Sequence, residues 1–157
     1  MPKIDFSIER KPEHGSYRKR LNDAFDATER VSIEKLGPVA AFVFNYLTCE
    51  KLAKVMVGIA SGKPGAGKDF SRITLCSNNI FTASQRLGCN LTRQHIDSIF
   101  ANTDADRSAC RLRNKLFHDF GPTHVRQVQG AAPHLNEKMK MFLGCRDAVV
   151  KYLEQGS

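Results

Sequence analysis

Three side chains in the segment CRLRNKLFHDFGP, residues 110–122, are of types suited to phosphate chemistry: Arg113, Asn114 and His118. An imidazole exchanges a proton near neutral pH, and a guanidinium fork holds two oxygens of one phosphate. On a helical wheel Ala109, Leu112, Leu116 and Phe120 share one apolar face, which predicts a core stripe. Arg113 falls about 55° from the centre of that stripe, while Asn114 and His118 stand one turn apart on another face. An arginine at such a border needs an anion or a partner surface, because an unpaired charge there is costly. Asp119 and Glu50 are the structural carboxylates that offer an alternative partner. Gly121 ends the helix, so His118 lies in its last turn, where the carbonyl end of the helix dipole favours imidazolium. The competing role for His118 is simply to cap that helix end.

A second segment, SGKPGAGKDF at residues 61–70, nearly spells a phosphate-cradling loop with Gly62, Gly67 and Lys68. Such a loop follows a buried strand, opens a helix and ends in a magnesium-binding Ser or Thr. Here the apolar face preceding it runs at helical period from Phe42 to Ala60, and Asp69 occupies the hydroxyl position. The expectation is therefore a helix-to-helix connector whose Lys63 and Lys68 remain available to a polyanion, and nucleotide hydrolysis is the reading set aside.

The elements that position these residues all carry helical periodicity. Tyr17, Leu21, Ala24, Phe25 and Thr28 mark a first helix, stopped at Gly37-Pro38. A second starts at Pro38 and sets Phe42, Tyr46, Cys49, Leu52, Ala53, Met56, Ile59 and Ala60 on one face, with Asn45, Thr48, Lys51, Lys54 and Gly58 on the other. Ser71 caps a third, closed by Gly88, and Thr92 opens a short fourth. A fifth spans about 104–120, and a last one about 133–154. No alternating run argues a sheet, so the fold class is all-α, an up-and-down bundle of about five to six helices. Residues 1–16 read as a flexible polar segment and 17–157 as one domain.

With 157 residues, the chain is long enough for one core, and a formal net charge of +8 points to a polyanionic partner. The Lys and Arg crowd into ERKPEHGSYRKR and RSACRLRNKLFH. No apolar run is long enough to span a membrane, and the polar N-terminus lacks a secretory pattern. Five cysteines without a C-x-x-C pair predict reduced, mostly buried thiols in a cytoplasmic protein. The irregular spacing of His118, Asp119 and His124 across Gly121-Pro122 argues against a metal site, and neither metal nor cofactor is expected. His14, His95 and His134 read as surface residues.

The string Arg113-Asn114-Lys115-Leu116-Phe117-His118 resembles the R-x4-H signature of HEPN domains, including the Asn that commonly follows the Arg. FNYLTCEKLAKVMV is similar to the family's early long helix, and APHLNEKMKMFLGCRDAVVKYL to its closing helix, so the resemblance covers roughly 17–154. HEPN domains are small helical bundles, many of them metal-independent ribonucleases of toxin–antitoxin and antiviral systems. Carried over, the resemblance implies that His118 transfers the proton, Arg113 binds phosphate and Asn114 orients the imidazole or the substrate. Arg111 and Lys115 are assigned to substrate binding, and Glu50 is a candidate to face the cleft. Arg113 and His118 lie about 140° apart around one helix. The resemblance implies that two subunits bring both motifs to one cleft, so a homodimer is expected. The implied partners are RNA and, for a toxin, an antitoxin protein. One departure stands out: HEPN toxins silenced by nucleotide transfer carry a tyrosine two residues after the histidine, where this chain has Phe120. The resemblance equally implies an alternative, a non-catalytic module that binds nucleotide, RNA or protein.

Overall fold

In the computed structural model the described residues are 4, 6, 14–63, 65, 70–102 and 107–155. They form an all-α bundle: α1 His14–Arg30, a 3-10 turn Ile33–Lys35, α2 Pro38–Ala60, α3 Ser77–Arg86, α4 Arg93–Phe100, α5 Ala109–His118, α6 Pro122–Leu143 and α7 Cys145–Gln155. No strand occurs among the described residues. Of the N-terminal segment expected to be flexible, residues 14–16 open α1, and Ile4 and Phe6 pack against the core. Its other residues lie outside the described ones.

The long helix α2 is the axis of the bundle. Proline opens it, and α1, α3, α5 and α6 all pack on it. The one-faced pattern expected for it is corrected, because Asn45, Thr48 and Gly58 are buried together with the apolar positions. A helix surrounded by neighbours buries every side and must satisfy its polar groups internally. Asn45 Nδ2 donates to Asn136 Oδ1 at 3.3 Å, and Thr48 Oγ1 donates to the Phe44 carbonyl at 2.9 Å while meeting Thr28 Oγ1. Its largest buried neighbours include Tyr17, Leu21, Phe142 and Met139, each contributing about 1.5–3 kcal/mol on transfer from water.

The glycine-rich segment starts as the end of that helix. Gly62 adopts φ 69°, its N–H bonds to the Ile59 carbonyl at 3.2 Å, and the Lys63 N–H reaches the Gly58 carbonyl at 2.9 Å. These two bonds close a helix C-terminus, so carbonyls rather than N–H groups point into the segment, the wrong polarity for a phosphate. Gly58 and Gly65 serve close packing instead. A Cβ at Gly58 would run into the Tyr17 hydroxyl, and one at Gly65 would come within 3.0 Å of the Tyr17 ring. Arg20 Nε donates to the Gly65 carbonyl at 2.5 Å, and Tyr17 Oη donates to the Lys63 carbonyl. The connector is thus tied to α1. Gly67, Lys68 and Asp69, on which part of the phosphate-loop reading rested, lie outside the described residues.

Several element boundaries differ from the expectations, beginning with α1, which ends at Arg30 rather than at Gly37-Pro38. Helix α3 begins at Ser77 rather than after Ser71, with extended Cys76 before it; its end at Gly88, φ 79°, is as expected. Helix α5 begins at Ala109 and stops at His118, so Phe120 is not part of the core stripe and is 78% exposed. Finally, Pro133 sits inside α6, which starts eleven residues earlier at Pro122. A proline in a helix removes one donor, but Gln129 and Pro133 both face solvent, where water supplies the bond. The chain then breaks at Gly144, and α7 completes the segment expected to be one helix.

Candidate active site

Helix α5 is held at its start by Ser108, whose Oγ accepts the Arg111 N–H at 3.0 Å and donates to the Ala101 carbonyl. Ala109, Leu112 and Leu116 are buried, as the apolar stripe required. That orientation turns the Cys110–Arg113–Asn114–Phe117 side of α5 toward the Tyr46–Glu50 row of α2.

Arg113 is the centre of this contact, with only 22% of its side chain exposed. Its Nη1 donates to Asn114 Oδ1 at 2.7 Å, and its Nη2 stands 3.4 Å from Glu50 Oε2. The guanidinium carbon lies 5.2 Å from the ring centres of both Tyr46 and Phe117. Its Nε is buried and makes no hydrogen bond among the described residues. A planar cation between two ring faces, hydrogen-bonded at one edge, is fixed in direction as a lysine would not be. Of the two structural carboxylates weighed for Arg113, Glu50 is therefore the one it meets.

The surroundings add two groups that sequence reasoning had not assigned to the site. Asn114 Nδ2 donates to Cys110 Sγ at 3.7 Å, and Cys110 is also a neighbour of Tyr46. Burial, then the neighbouring Cys110, holds the Tyr46 phenol protonated far above its ordinary range. A signal for both was present: Tyr46 and Glu50, like Cys110 and Asn114, stand four residues apart and so form facing rows on two helices.

His118 is placed differently. It is the last residue of α5, exposed, and its imidazole makes no hydrogen bond or ion pair among the described residues. Next to it Phe117 and Phe120 are exposed by 53% and 78%. Arg113 and Asn114 thus come together with Glu50, whereas His118 points away to solvent beside an apolar surface. Arg111 and Lys115 are half-buried on the same helix. Asn114 supports Arg113 directly, a contact besides the imidazole or the substrate that the resemblance assigns to it.

The remaining histidines divide. His95 is buried, contrary to its expected surface position, with Nε2 2.9 Å from the Lys138 carbonyl. His134 is exposed, while His124 has a buried Nδ1 without a hydrogen bond among the described residues. Among the described residues no group of three or more His, Cys, Asp or Glu side chains converges as a metal site would require. None of their helices is long and apolar enough to cross a membrane. No family model, curated protein or solved structure matches the chain.

Proposed function

We propose that the protein is a metal-independent endoribonuclease of HEPN type, acting on single-stranded RNA in a basic groove between two copies of the chain. The observation that carries this reading is Arg113, clamped between Tyr46 and Phe117 and steered by Asn114, on the helix that ends in an exposed His118. Cleavage without a metal needs a base for the 2′-hydroxyl proton, an acid for the leaving 5′-oxygen, and positive charge on the developing phosphorane. In this scheme His118 moves the proton, and Arg113 exchanges Glu50 for phosphate oxygens. Asn114 positions Arg113, and Arg111 and Lys115 hold neighbouring phosphates. One chain holds Arg113 and His118 on different sides of α5. A two-fold partner seated on the apolar Phe117 and Phe120 surface supplies the second motif. Such a nuclease suits a cytoplasmic toxin or defence component, restrained by a cognate antitoxin protein.

The Glu50–Arg113 pair also favours a second reading, a non-catalytic module of the same type in which the pair is structural and the groove binds nucleotide, RNA or protein. Labelled RNA incubated in EDTA with wild type and His118→Ala separates the two. The nuclease predicts cleavage that survives chelation, leaves 2′,3′-cyclic phosphate ends, and slows by about 10²–10⁴-fold in the variant. Absence of cleavage by a folded dimer across several RNAs overturns it, and RNA binding that is equal in both proteins then supports the module.

A further inference from the structure

Two buried cysteines far apart in sequence, Cys89 and Cys145, line the same pocket. Cys89 follows Gly88 in the turn that closes α3, and its N–H bonds the Ser84 carbonyl at 2.8 Å. Cys145 opens α7 directly after Gly144, whose N–H bonds the Lys140 and Met141 carbonyls at 3.2 Å. Each thiol is thus carried by a hydrogen-bonded turn, and the two are close enough to shift each other's proton affinity. Both line a surface pocket of about 320 Å³, together with Gly88, Asn90, Met141 and Ala148. A buried cysteine is ordinarily a small apolar core residue, and Cys49 fits that description. It is wholly buried, donates to the Met139 carbonyl at 3.6 Å and is absent from the pocket lining. Cys89 and Cys145 differ because both line a surface cavity that a small reagent can enter.

We propose that Cys89 and Cys145 form an oxidisable dithiol that hydrogen peroxide entering this pocket converts to a disulfide, joining the end of α3 to the start of α7. Cys89, 9% exposed against 6% for Cys145 and carried on a turn rather than a helix, is assigned the first attack. Its neighbour Cys145 lowers the proton affinity of Cys89 against the opposing effect of burial, whereas Cys89 and burial raise Cys145. The Cys89 thiolate attacks one peroxide oxygen, the O–O bond breaks, and the released hydroxide takes a proton to become water. The sulfur of Cys145 then attacks the resulting sulfenic acid. The S–O bond breaks, the S–S bond forms, and the Cys145 proton leaves with the hydroxide as a second water. Two electrons pass from the two thiols to the peroxide, so no further reactant is required.

The test treats the reduced full-length chain with hydrogen peroxide and maps cysteine states by mass spectrometry of a non-reducing digest. A single cross-linked peptide pair carrying Cys89 and Cys145, lighter by two hydrogens, is expected. In Cys145→Ser a 1,3-dione trapping reagent should label Cys89, and that label should be lost in Cys89→Ser. The wild-type digest decides even if a variant fails to fold. Oxidation that begins at the more exposed Cys76 or Cys110, a bridge from Cys145 to Cys49, or Cys89 sulfenic acid accumulating without a bridge would each overturn the proposal.

Discussion

At the scale of single residues, Arg113 is caught between a structural and a chemical role, and magnitudes help to separate them. Fully exposed ion pairs contribute about 0–1 kcal/mol, and breaking a fully buried one costs about 3–5 kcal/mol. The Glu50–Arg113 pair is intermediate in burial, single-pronged and long at 3.4 Å, so roughly 1 kcal/mol is the scale to expect. A phosphate offers the fork two oxygens and so competes well with one carboxylate oxygen. Glu50→Gln should therefore lower stability by about 1 kcal/mol in urea denaturation while tightening RNA binding about fivefold. Weaker RNA binding by the stable variant would mean that Glu50 holds Arg113 in its working position and is not its competitor.

At the scale of elements, the helices of this chain are set as much by how closely they approach as by their periodicity. Gly58 lies inside α2, where alanine ordinarily gains about 0.5–1 kcal/mol over glycine. Here the added methyl meets the buried Tyr17 hydroxyl and ring, with Cε1 2.9 Å away, and overpacking of that kind costs about 1–3 kcal/mol. The clash outweighs the propensity, so Gly58→Ala should lower the thermal midpoint measured by calorimetry. An unchanged or raised midpoint would show that Tyr17 moves aside freely.

The same contrast explains how much of the structure was legible in the sequence. The all-helical class, the span of α2 and the cap of α4 at Thr92 follow from local signals, because periodicity and caps act within a few residues. The start of α6 was misplaced because Pro133 carries a local start signal that solvent exposure overrides. Nothing local shows that α2 is covered all round, since Asn45 and Thr48 look solvent-facing until α6 and α1 supply their partners. In the site, Arg113 and Asn114 stood out by type and spacing, and Glu50 was a named option. Tyr46 and Cys110 were hidden because their part depends on which face of α5 meets α2.

For the molecule as a whole, the buried His95 couples stability to pH. Burial lowers its proton affinity, the hydrogen bond to the Lys138 carbonyl opposes this, and the Lys138 charge reinforces it, so the fold prefers the neutral ring. An unfolded chain takes up this proton near its ordinary value of 6.5, whereas the native chain resists until lower pH. The contribution is thus complete above 6.5 and is lost as pH falls through that value toward the lower native one. Urea midpoints should drop between about pH 7.5 and 5.5, and His95→Gln should flatten that dependence. An equal slope in both proteins would assign the effect elsewhere.

The central position of α2 also has a consequence during synthesis. Its last residue, Ala60, is made well before α6, which starts at Pro122 and covers one of its sides. At roughly 5–20 residues per second, several seconds pass before that cover exists. During that interval α2, strongly apolar and buried on every side in the finished fold, has only α1, the 3-10 turn and the later α3 and α5 as shelter. A nascent-chain chaperone would find its binding segment on the side that α6 covers.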